Sequence, residues 1–360
     1  MLRVLVLAAA LAGGSVAPSH ALDADKARKA VGDAIEGFVL PGYFDLRVET
    51  TRLSEDIARL CAAPSAEALE TARWQFSIAV DAWSRIEMVR FGPVTKNNRL
   101  ERMLYWPDRR SIGLKQVQAI LAERDPSAAS AGTLVQKSVA VQGLGALEFV
   151  LHGTGAELLA TAADAYRCAY GKAVAANLEH RATDIESEWK APEGGFARVW
   201  SDPSAGNALY RTPEESLVEV INTLVHGLEL IRDVRIDGFL GETAADDRPK
   251  LAIFWRSGKT VDSIRRNLDS LHTLFERSDL AALLPADRAW IAQSVAFEFA
   301  NADRALMHLD GPVDAILADP DGRASLAYAR LVTSSLSDLV GARLTAELGL
   351  TAGFSSLDGD

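Results

Sequence analysis

TPEESLVEVINTLVHGLELIRDV, residues 212–234, carries its own instructions for folding. Thr212 is a helix-capping residue, Pro213 suits the first helical position, and Glu215 completes a capping box. Leu217, Ile221, Leu224, Leu228 and Ile231 then follow at spacings of four and three, which lines them up along one face of a helix. A helix with one continuous apolar stripe is stable only when packed on others, so this is a bundle helix. The same spacing recurs along the chain and almost no stretch alternates with a period of two, which predicts an all-α protein.

Working outward, helices are predicted near 24–38, 43–62, 65–91, 113–124, 132–152, 156–189, 212–238, 259–277, 285–309 and 321–347. Stops are read at Pro41-Gly42, Gly92-Pro93, Asp125-Pro126, Gly153-Thr154-Gly155 and Gly311-Pro312. Residues 191–210 are rich in Gly, Pro, Ala and Ser and hold no sustained helical period, so they are read as the connection between two four-helix-bundle-like units, 22–195 and 196–360. Glu148 and Glu229 fall at equivalent places when GLGALEFVL (143–151) is laid on LVHGLELIR (224–232). If that echo is a duplication, the two bundles are related by a pseudo-twofold axis.

The first residues, MLRVLVLAAALAGGSVAPSHA, have Arg3, a short apolar run and a small-residue site ending at Ala21, the pattern of a cleavable secretory signal peptide over 1–21. No later run reaches the roughly eighteen apolar residues of a membrane span, so the expected location is the periplasm. There, Cys61 and Cys168, the two cysteines, are a candidate disulfide. The formal net charge of −11 argues against a nucleic-acid partner held through phosphates.

Glu148 sits on the packed face of its helix, about 40° from Leu144 at 100° per residue. A buried carboxylate must be paired, hydrogen-bonded or metal-bound. His152, one turn later, extends the same edge, so either the two converge on a ligand or Glu148 meets an arginine and His152 caps the helix end. His226 and Glu229 form a second pair one turn apart, opposite the Leu217 to Ile231 stripe; together the four side chains are candidate ligands suited to iron or zinc. Glu87 lies one turn beyond Phe76, Val80 and Trp83. Arg85, Arg90 and Arg109 in the first half and Arg232 and Arg235 in the second are candidates for neutralising buried carboxylates or holding an anionic ligand or partner, with Trp255 and Arg256 beside the second group.

No H-E-x-x-H, G-x-S-x-G, phosphate loop, dinucleotide fingerprint or C-x-x-C is present. The chain does resemble the imelysin-like family, exported bacterial proteins once classed as peptidases and associated with iron uptake. The resemblance runs through AWSRIEMVRFGPV (82–94), GLGALEFVLHG (143–153), RCAYGKAVAANLEHRATDIESEW (167–189), HGLELIRDVRIDGFLG (226–241) and ELGLTAGFSSLDGD (347–360). It implies two helical bundles and a G-x-H-x-x-E signature contributing to a metal site. Gly143 and Glu148 match that signature, but Gly145 stands where the family has histidine, and glycine supplies no ligand. The resemblance thus implies a non-enzymatic protein assisting iron acquisition by binding a metal, a metal complex such as a haem-like ligand, or an iron-transport component. The alternatives are an imelysin-type metal-dependent peptidase and a structural adaptor for an anionic ligand or partner.

Overall fold

The computed structural model describes residues 22–350, and among them every regular element is helical. The signal-peptide reading (1–21) and the last ten residues of the C-terminal match (351–360) lie outside the described residues. In chain order the helices are α1 (Ala24–Ala34), α2 (Leu40–Ala62), α3 (Ala66–Ile86), α4 (Arg99–Met103), α5 (Ile112–Glu123), α6 (Ala131–Leu134), α7 (Leu144–His152) and α8 (Ala165–Lys190). They continue with α9 (Phe196–Ser201), α10 (Pro213–Glu229), α11 (Thr260–Arg277), α12 (Trp290–Leu306), α13 (Val313–Ala318), α14 (Pro320–Ser337) and α15 (Thr345–Glu347).

The deciding stretch folds as its sequence dictates. Thr212 Oγ1 accepts from Glu215 N at 3.3 Å, while the Glu215 carboxylate reaches back to Arg211 N at 2.6 Å. Leu217, Ile221, Leu224, Leu228 and Ile231 are all buried. In the first half, α2 packs on α3 and α8. In the second, α12 packs on α14, α11 bridges α12 to α3, and α1 lies against α10. Helix packing therefore crosses residue 195 in both directions. The connection at 191–210 is itself packed: it forms α9, and Trp200 is buried with its indole Nε1 donating to Ser216 O at 2.9 Å.

Three sequence-based boundaries are corrected. Pro41-Gly42 does not stop a helix, because a π-helical turn over Ile35–Val39 joins α1 to α2. The wider turn lets Leu40 N bond Ile35 O, and Pro41, which has no N–H to donate, follows directly after it. Gly42 serves packing instead: a Cβ there would lie 2.7 Å from Ile86 Cδ1.

The expected helix 132–152 is broken into α6, a short 3-10 turn at Val139–Val141, and α7. The Gln142 side chain ties down Lys137 O and Ser138 O, at 2.7 and 3.2 Å. Gly143 is extended and so close to Met103 O that a Cβ would sit 2.6 Å from it. The helix expected from 156 begins at Ala165, where Asp164 caps Arg167 N at 3.0 Å; Ala162, at φ 57°, precedes it. Cys61 on α2 and Cys168 on α8 are joined by a disulfide.

Candidate functional site

Glu148 lies on α7 and is 4% exposed. Its Oε1 accepts three hydrogen bonds from one loop: Arg256 N at 3.1 Å, Ser257 N at 3.0 Å and Ser257 Oγ at 2.9 Å. The loop is shaped to present them. Phe254 and Gly258 take positive φ, Lys259 N closes back on Phe254 O at 3.0 Å, and Thr260 Oγ1 donates to Ile253 O at 2.6 Å. Phe254 is anchored in the core, edge-on to Phe76. Glu148 is thus hydrogen-bonded by two backbone N–H groups and the Ser257 hydroxyl, with the Arg256 charge nearby, and it ties α7 to the segment that leads into α11. Burial raises its pKa, and the Ser257 donors, Arg256 charge and Arg256 N–H pull it back.

Gly145 faces open space: a Cβ there would meet nothing within 4 Å. It borders a cavity of about 60 Å³ whose other walls include Tyr105, Trp106, Asp108, Glu148, Phe149 and Arg256. The Arg256 guanidinium sits 4.4 Å from the Trp255 ring centroid and 5.4 Å from that of Phe149, and closes one side.

His152 ends α7, and its Nε2 is buried without a partner. It borders a different and larger cleft of about 700 Å³, shared with Thr154, Trp255, Arg256, Lys259 and Asp314. Arg256 is common to both spaces. The carbonyls at the α7 C-terminus are met by arginines rather than by His152: Arg167 reaches Phe149, Val150 and Thr154, and Arg73 Nε donates to Leu151 O at 2.9 Å.

Burial first, then the Arg73 guanidinium, push the His152 imidazole down to about 4 from its ordinary 6.5. Between those values the unfolded chain binds more protons than the folded one, so His152 makes stability fall as the pH drops through that window. Glu148 acts in the opposite sense, because a carboxyl with a raised pKa favours the folded state more on acidification. His152→Gln is therefore expected to flatten the acid-side loss of stability between 6.5 and about 4, read as urea midpoints across that range. An unchanged slope would remove His152 from the account.

The four candidate ligands do not meet. His226 lies on α10 beside a third cavity with Arg90 and Glu219, and Glu229 is half-buried at the end of the same helix. Among the described residues no group of three His, Cys, Asp or Glu side chains is arranged to hold a metal ion. The donor set at Glu148 fits a metal poorly: one oxygen is saturated by the loop, a cation stands beside it, and Gly145 contributes nothing.

The arginines separate by role. Arg235 is buried and donates to Glu87 Oε2 at 2.5 Å, and Arg232 holds Asp233 at 2.5 and 2.8 Å. Arg85 and Arg90 are exposed, and Arg109 borders a pocket with Trp106, Asp233, Asp237 and Arg248. Ser257 and Arg167 escaped the sequence reading. For Ser257 the one signal was the turn residue Gly258 just before the helical period of α11.

The imelysin (peptidase M75) family profile matches residues 39–338, most of the chain. The chain belongs to the imelysin family. An imelysin-like protein from Psychrobacter arcticum 273-4 has the same fold, with a TM-score of 0.77 at 22% identity over 93% of this chain and 99% of that one. Iron-regulated protein A of Synechococcus elongatus is 26% identical over 318 residues, 84% of this chain and 83% of its own. The open space at Gly145 has room for a larger side chain.

Proposed function

We propose that this imelysin is an exported iron-handling protein that works by binding, and that it takes iron as an anionic organic chelate in the cleft bordered by Arg256, Lys259 and His152. The observation that carries this reading is the pairing of a poor metal-ligand set with a large cleft. Glu148 is committed to the Arg256-Ser257 loop and Gly145 offers no imidazole, whereas the adjoining cleft of about 700 Å³ falls in the size range of organic-ligand sites, roughly 300–1,000 Å³. Arg256, stacked on Trp255, supplies a positive group for an anion next to an apolar wall. Lys259 adds a second cation, although Asp262 holds it at 2.7 Å. The name of the Synechococcus relative supports the link to iron, and the leader at 1–21 supports export to the periplasm, where an iron-transport component would receive the chelate. Metal-dependent hydrolysis of the kind a G-x-H-x-x-E signature implies would need an imidazole beside Glu148, and Gly145 supplies none.

Calorimetric titration with ferric citrate and with iron-free citrate tests the reading. Ferric citrate is expected to bind with one-to-one stoichiometry, and Arg256→Gln to weaken it by about tenfold or more, the loss of one charge-assisted contact. Failure of ferric citrate to bind, or binding indifferent to Arg256→Gln and Lys259→Gln, would sink it.

A further inference from the structure

A separate cavity of about 350 Å³ lies between the end of α3 and α10, lined by Met88, Arg90, Phe91, Thr223, His226 and Leu230 among others. The polar side chains on its α10 wall, Glu219, Thr223 and His226, share one helix face at i, i+4 and i+7. Two of the three are occupied. Thr223 Oγ1 donates to Glu219 O at 2.8 Å, and the Glu219 carboxyl, whose pKa burial raises, accepts from Tyr210 OH at 3.2 Å. His226 is the exception: its Nε2 is buried and has no partner.

Arg90 lies opposite, exposed and with no ion pair to any described carboxylate. It stands near enough to Arg235 to disfavour that residue's charge, and Arg235 is neutralised only by Glu87. Among the described residues, Arg90 is the one cationic side chain on the cavity wall, and the one carboxyl there, Glu219, is engaged by Tyr210 OH. The remaining lining residues, Met88, Phe91, Leu100 and Leu230, are apolar, a wall that favours an aromatic body.

We propose that this cavity is a second ligand site that takes an aromatic monocarboxylate, its carboxylate between Arg90 and His226 Nε2–H and its ring against Met88, Phe91 and Leu230. The volume fits a one- or two-ring acid, and the site is independent of the Arg256 cleft because the two share no lining residue.

The test is calorimetric titration of the full chain with benzoate and indole-3-carboxylate, beside benzamide and indole-3-carboxamide. The acids are expected to bind and each amide to bind about tenfold weaker or less, since it forfeits the charge-assisted contact. Arg90→Gln should abolish the difference between acid and amide, while Arg256→Gln should leave it intact. Arg90 is exposed, so its variant is expected to fold, which circular dichroism checks. Equal affinity for acid and amide, binding lost in Arg256→Gln rather than Arg90→Gln, or no binding at millimolar concentration would each overturn the proposal.

Discussion

Glu87→Ala is expected to cost about 3–5 kcal/mol of folding stability, the usual penalty for stranding one member of a buried ion pair. Glu87 and Arg235 are 1% and 3% exposed, and they join the end of α3 to the π-helical turn Leu230–Ile236. The Glu87 carboxylate accepts from Arg235 Nη2 at 2.5 Å and from Asn267 Nδ2 on α11 at 2.8 Å. Arg235 already keeps Nε and Nη1 buried without partners, so it has no second acceptor to turn to. Removing the carboxylate leaves a charge that burial disfavours. Replacing both residues, Glu87→Leu with Arg235→Met, should recover most of the loss, because a packed apolar pair avoids both desolvation costs. Urea denaturation of the single and double variants checks this. A Glu87→Ala loss below about 1 kcal/mol, the scale of an exposed pair, would mean that the pair is solvated and joins nothing.

The disulfide carries the second large effect. Cys61 and Cys168 are separated by 107 residues, and linking them removes loop entropy from the unfolded chain. The chain-entropy relation gives about 4.7 kcal/mol for a loop near 100 residues, and measured losses run at about 2–5 kcal/mol. The bond staples α2 to α8, helices that also pack on each other directly, so the double variant Cys61→Ser/Cys168→Ser is expected to fold and to unfold at lower urea. An unchanged midpoint, or two titratable thiols in protein purified without reductant, would contradict the expectation. The result also bears on compartment, since such a bond persists where the surroundings are oxidising.

Much of the fold was legible because helix periodicity is a local signal. The stripe from Leu217 to Ile231 and the Thr212 cap are written in adjacent residues, and the all-α reading follows from them. The π-helical turn at Ile35–Val39 is not legible: Pro41-Gly42 reads as a stop, whereas the wider turn carries the helix through it and the close approach of Ile86 leaves room only for glycine at 42. The break before α7 likewise depends on Met103, far away in sequence, crowding Gly143.

The candidate site divides along the same line. The sequence marks Glu148 as a buried carboxylate in need of compensation, places Glu87 one turn beyond Phe76, Val80 and Trp83, and offers Arg235 as a candidate for neutralising a buried carboxylate or holding an anion. The sequence did not say what compensates each one, because partners come from remote segments. Glu148 is met by two backbone N–H groups and one hydroxyl from residues 256 and 257, more than a hundred positions away, and Glu87 by an arginine in the other half of the chain. Glu148 and His152 share α7 at i, i+4, which the sequence reads as a candidate convergence on one ligand, but they border different cavities with Arg256 common to both.

On the proposed function, Glu148 anchors the Arg256-Ser257 loop rather than a bare metal ion, and the cleft beside it takes a complexed anion. The most direct measurement is a calorimetric titration of Zn(II) into the full chain and into Glu148→Gln. No one-to-one Zn(II) binding that depends on Glu148 is expected. Stoichiometric Zn(II) binding abolished by Glu148→Gln would contradict it, and would make that carboxylate a metal ligand despite its three bonds to the loop.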